Sequence, residues 1–134
     1  MTAFAGTFAL IAWLNPRDGA HVTVSAYLDG FAGRLVTTEW VLMEVADALS
    51  APEARSTVVE FLRAVRADPL FEVVGYSPAV YDAGFDLFAN RPDKAWSLTD
   101  CISSAVMTAR GLSDAPTADR HFEQAGFRAV FRNP

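Results

Sequence analysis

Short β-rich apolar runs alternate with segments of helical period along this chain, and no other feature constrains its fold as tightly. Residues 2–5 form an apolar run ending at Gly6-Thr7, and residues 8–14 follow with helical spacing until Asn15-Pro16 stops them. A second helix is predicted from Asp18 or Gly19 to Asp29, then a strand over 34–37. Thr37 or Thr38 caps the next helix, whose stripe of Val41, Leu42, Val45, Ala48 and Leu49 ends at Ala51-Pro52. A helix over 52–67 begins at Pro52 and stops at Asp68-Pro69. A strand over 71–75 and a helix from Ser77-Pro78 to about Asn90 come next. A helix opened by Ser97 runs to Gly111, followed by a strand over 113–117 in which Pro116 marks an end or a distorted edge. A short helix over 118–125, with Gly126 as its C-terminal signal, and a strand over 127–131 complete the pattern. Strands that alternate with helices in this way imply an α/β fold, a parallel sheet covered on both faces.

At 134 residues, 51% of them hydrophobic, the chain is expected to form one domain, 1–134, that buries about two-thirds of its unfolded surface. Its longest apolar run, residues 3–14, is too short to cross a bilayer, and no basic residue precedes it as a signal peptide requires. The expectation is a soluble, cytoplasmic protein with no membrane partner. The single cysteine, Cys101, cannot close an internal disulfide and lies in a predicted helix, where its role is that of a small packed residue. His21 and His121 have no Cys or His partners at ligand spacing, which argues against structural zinc and leaves oxygen-bound hard metals open. A net charge of −5 argues against a broad basic face. Nucleic acid would have to be held locally or through a metal ion.

The chemistry therefore falls to carboxylates, since the chain has no Gly-rich phosphate loop and no Ser/His/Asp arrangement. In an open parallel sheet, ligands sit beyond the carboxyl ends of the strands, which here means Gly6-Thr7, Thr37-Thr38 and residues 117–119. Asp100 stands three residues after Ser97 and can fold back on it as in a capping box. Read alone, Asp100 and Asp119 are helix caps and Glu44 is a solvated residue in the middle of a helix.

Four stretches together resemble the PIN-domain ribonucleases, and among them the VapC-type toxins of toxin–antitoxin pairs. They are Ala5-Gly6-Thr7-Phe8-Ala9-Leu10-Ile11-Ala12; Thr37-Thr38-Glu39-Trp40-Val41-Leu42-Met43-Glu44; Trp96-Ser97-Leu98-Thr99-Asp100-Cys101; and Thr117-Ala118-Asp119-Arg120-His121-Phe122-Glu123-Gln124-Ala125-Gly126-Phe127. They match the family's motifs in order from one end of the chain to the other.

The resemblance implies a three-layer α/β/α sandwich with strand order 3-2-1-4-5, in which position 6 and Asp119 converge at the switch point. It also implies a Mg²⁺- or Mn²⁺-dependent endoribonuclease that hydrolyses RNA phosphodiester bonds, with RNA, a cognate antitoxin and a second copy in a homodimer as partners. By the same resemblance Asp100 and Asp119 are metal ligands and Glu44 binds through water or orients the nucleophile. Thr7 and Ser103 would hydrogen-bond ligands or waters, with capping and packing as their plain alternatives. Gly6 departs from the pattern, because the family has a metal-binding Asp there and glycine has no side chain to offer. Two readings follow, a weakened ribonuclease and a metal-deficient binding module that still engages antitoxin or RNA.

Overall fold

The computed structural model describes residues 1–132. The chain begins with β1 (Thr2–Phe4), α1 (Thr7–Leu14), α2 (His21–Asp29), β2 (Arg34–Thr38), α3 (Glu39–Ala48) and α4 (Pro52–Ala64). It continues through β3 (Phe71–Val74), α5 (Pro78–Asn90), α6 (Leu98–Arg110), β4 (Asp114–Ala115), α7 (Arg120–Gln124) and β5 (Arg128–Ala129). The result is an α/β/α sandwich around parallel strands.

β2 is the central strand of the first sheet, paired parallel to β1 with Ala3 opposite Leu35 and to β3 with Val36 opposite Glu72. β4 and β5 form a separate parallel pair, with Asp114 opposite Arg128. β4 lies alongside β1. Of the expected order 3-2-1-4-5, the 3-2-1 and 4-5 ladders form, and between β1 and β4 there is proximity without a ladder among the described residues. Pro116 follows β4 directly and cannot donate to a neighbouring strand, while beyond it the Phe131 N–H still donates to the Thr117 carbonyl at 3.0 Å.

Other boundaries follow local hydrogen bonding. α2 starts at His21 rather than at 18 or 19, because the Asp18 side chain accepts the Ala20 N–H at 2.8 Å and holds that stretch in a turn. α4 stops at Ala64, short of the expected 67, and the Asp68 side chain accepts the Leu70 N–H ahead of β3. Of the two candidate caps for α3, Thr38 does the capping, accepting the Val41 N–H at 3.1 Å. Asp119 caps α7, which begins at Arg120 instead of 118.

Side chains from both sheets and most helices meet in one core, in which Phe4, Leu10, Leu35, Val45 and Met107 are fully buried. α5 and α6 pack closely at Gly84, where a Cβ would fall 2.3 Å from Ile102 Cγ1 and 2.7 Å from its Cα. Glycine is required there for space. No helix among the described residues is long and apolar enough to cross a membrane.

Candidate metal centre

Asp100 and Asp119 are each fixed first by their own helix end. Ser97 and Asp100 form a complete capping box at the start of α6. The Asp100 N–H donates to Ser97 Oγ at 3.0 Å, and the Ser97 N–H donates to Asp100 Oδ2 at 3.1 Å. At the start of α7, Asp119 Oδ1 accepts the His121 N–H at 2.9 Å, while the Asp119 N–H donates to Thr117 Oγ1 at 3.0 Å. Capping and catalysis are not rivals for these residues, because a cap immobilises a carboxylate yet leaves oxygen lone pairs for another partner.

Packing of α7 against α6 then brings the two caps together. His121 Nδ1 lies 3.3 Å from Asp100 Oδ2 and 3.3 Å from Asp119 Oδ1. One donor atom from each of Asp100, Asp119 and His121 falls within 4.8 Å of the others. The set of two carboxylates and one imidazole suits a divalent cation.

The cluster opens on a cavity of about 270 Å³ whose wall also includes Thr7, Glu44 and Ser103. Thr7 is the first residue of α1, and its hydroxyl donates to Glu44 Oε1 at 2.5 Å across from α3. Glu44 therefore shares the cavity, held by Thr7 and apart from the three-donor group. Ser103, one turn after Asp100 on α6, is 2% exposed. A second cavity, of about 330 Å³, lies between the end of α1 and the α3–α4 turn, with Glu53 as its one carboxylate. It offers no clustered donors.

Gly6 is the N-cap of α1, with φ −92° and ψ −174°, and α1 has no side-chain cap. That backbone is open to any residue. A Cβ at position 6 would lie 3.4 Å from the Phe122 ring and 3.8 Å from Phe4, an ordinary contact with Phe122, itself part of the cavity wall. Neither conformation nor crowding calls for glycine here.

The structure thus brings Thr7, Glu44, Asp100, Ser103 and Asp119 to one cavity and adds His121. In the sequence His121 has no Cys or His partner at ligand spacing, and that pattern alone does not mark it as a ligand. The signal was its place two residues after Asp119, on the first turn of the helix that Asp119 caps. Cys101 is buried at the base of α6; burial pushes its thiol up, and the Asp100 charge pushes it further, so it is a packed residue and no nucleophile.

Residues 7–128 match the family model for the PIN domain. No curated protein matches the sequence. Among solved structures, the chain is similar to VapC20 of Mycobacterium tuberculosis, described as a sarcin-ricin loop cleaving toxin. That match has a TM-score of 0.88 at 23% identity, over 97% of this chain and 98% of the other. It is also similar to FitAcB of Neisseria gonorrhoeae, with a TM-score of 0.65 at 17% identity over 95% and 94% of the two chains. VapBC2 of Rickettsia felis, solved bound to a DNA fragment from its promoter, gives a TM-score of 0.64 at 12% identity over 94% of each chain.

Proposed function

The chain belongs to the PIN-domain family, and from that premise we propose that it is the toxin of a VapBC-type pair, a divalent-cation-dependent endoribonuclease weakened by Gly6. The observation that carries the proposal is the convergence of Asp100, Asp119 and His121 on a cavity shared with Glu44. Caps from two different helices, facing each other across a solvent-open cavity, are what a cation site needs and what a stable core does not.

Asp100 and Asp119 are the residues that would hold Mg²⁺ or Mn²⁺. When bound, such an ion lowers the pKa of a water and stabilises charge on the phosphate and the leaving oxygen. The protein's own part is to position. Ser97 and the α7 backbone keep both carboxylates aimed into the cavity. Glu44, oriented by the Thr7 hydroxyl, is placed to take a proton from an attacking water or to hold that water in line. Ser103 offers a buried hydroxyl to a substrate oxygen or a water.

A substrate class of RNA agrees with the name of VapC20, and a cytoplasmic location belongs with it. Single-turnover cleavage of a mixed RNA pool with Mg²⁺ or Mn²⁺ tests the proposal, with an Asp100→Asn, Asp119→Asn variant as control. Slow cleavage that the variant lacks is the expected result; equal cleavage by both proteins rejects it.

The bare position 6 supports a second reading, a catalytically deficient module that keeps the fold to engage an antitoxin or RNA. Cleavage at background in both proteins, with RNA or antitoxin still bound, would favour it.

A further inference from the structure

Losing a carboxylate at position 6 leaves a cation site short of one donor, and the structure holds a donor of a different kind beside the two acids that remain. We infer that the His121 imidazole serves as the third protein donor of the site, and that the nitrogen ligand turns its preference from Mg²⁺ toward a first-row transition cation such as Mn²⁺. The inference rests on the metal-ribonuclease reading of the cavity and goes beyond it in naming the donor and the selectivity.

Three facts support it. Nδ1 stands 3.3 Å from an oxygen of each acid, close to the separation of about 3 Å between neighbouring donors in an octahedral shell with bonds near 2.1 Å. The three residues come from two helix ends whose caps already fix the carboxylates, so little ordering is left for the ion to impose. Ser103, 2% exposed, lines the same cavity. Its hydroxyl is a further oxygen that a water or ligand in the cavity could use.

The selectivity follows from donor chemistry. Mg²⁺ is a hard ion that prefers oxygen in strict octahedral geometry, whereas imidazole suits transition cations. Exchanging one carboxylate for one imidazole also removes a negative charge, which weakens the hold on Mg²⁺ most, because that ion is bound mainly by charge.

The test is calorimetric titration of Mn²⁺ and of Mg²⁺ into the full chain, His121→Gln and Asp100→Asn, with pulsed electron paramagnetic resonance of the Mn²⁺-loaded parent. The parent should bind Mn²⁺ at least about tenfold more tightly than Mg²⁺ and show hyperfine coupling to a directly bound nitrogen. His121→Gln should lose that coupling and about tenfold in Mn²⁺ affinity while holding Mg²⁺ within about twofold, and Asp100→Asn should lose both ions. If Mn²⁺ binds the parent without nitrogen coupling while Asp100→Asn still abolishes binding, the His121 assignment is overturned and the carboxylate site stands. If the parent binds neither ion, or Asp100→Asn binds as well as the parent, both readings are overturned. Should His121→Gln fail to fold, the coupling in the parent decides alone.

Discussion

Gly6 is the residue on which the proposed weakening of activity rests, and its surroundings make the reverse substitution a clean test. Its φ of −92° and the ordinary contact its Cβ would make with Phe122 mean that the backbone and the Cβ position accept Gly6→Asp. An Asp there would also cap α1, worth about 1 kcal/mol, against which stands the repulsion of one more acid beside Asp100 and Asp119 in the metal-free protein. Metal stabilisation of transition-state charge is worth several kcal/mol, so restoring a ligand should raise cleavage on the order of a hundredfold or more. The comparison is parent against Gly6→Asp on one RNA pool at matched Mn²⁺, with Gly6→Asp, Asp100→Asn controlling for contaminating nucleases. A folded, metal-binding Gly6→Asp that cleaves no better than that control would sink the ribonuclease reading. Glu44 gives a second test on the same scale. In the restored background, Glu44→Gln should keep its bond to Thr7 yet slow cleavage by about a hundredfold, since an amide cannot accept the proton. An unchanged rate would remove Glu44 from the chemistry.

At the level of elements, α6 governs the site, because it carries Asp100 and Ser103 and is braced by α5 through Gly84. Gly84→Ala would drive a methyl group into Ile102 side chain and backbone alike, and backbone cannot turn aside as a side chain does. The helices must separate, at a cost of about 2–3 kcal/mol. Urea denaturation should show that loss together with weaker Mn²⁺ binding, and a midpoint matching the parent would refute the tight crossing. What the sequence revealed about these elements tracks how local each cause is. Ser97 and Asp100 are three residues apart, so their capping box and the start of α6 were readable, as was a threonine cap on α3. The start of α2 was misplaced because Asp18 bonds to the Ala20 N–H instead of opening a helix. The place of His121 beside the acids was hidden because its approach to Asp100 depends on α7 packing against α6, and the demand for glycine at position 84 arises only where two helices cross. Pro116 signalled a distorted edge, yet nothing local revealed that β1 and β4 would lie together without a ladder.

Across the whole molecule, two features bear on the proposed partners. On α5 the rings of Tyr81, Phe85 and Phe88 recur at i, i+4 and i+7 and are each 40–46% exposed, with Tyr81 and Phe85 stacked at 6.2 Å between centroids. A second copy or an antitoxin helix covering that stripe would bury it. Light scattering at micromolar concentration should therefore report a dimer, or a complex once antitoxin is added; monomer under both conditions would count against the proposed partners. The other feature is the seam between the two parallel ladders. β1 and β4 adjoin there without pairing, and the acids sit at its end, Asp100 on α6 and Asp119 where β4 gives way to α7. An ion held by both would tie the β4–α7–β5 segment to the rest of the fold, and it has no comparable site in the unfolded chain. At about a hundred times its Kd, such a ligand adds about 2.7 kcal/mol to stability, which for 134 residues raises Tm by on the order of 10 °C. Thermal unfolding followed by circular dichroism, with and without Mn²⁺, measures this directly. Asp100→Asn, Asp119→Asn should start more stable without metal than simple loss of caps would suggest, because two facing charges are gone, and should gain nothing from Mn²⁺. An equal rise in Tm for parent and variant would place the ion elsewhere, and no rise in either at saturating Mn²⁺ would leave the seam without the cross-link proposed for it.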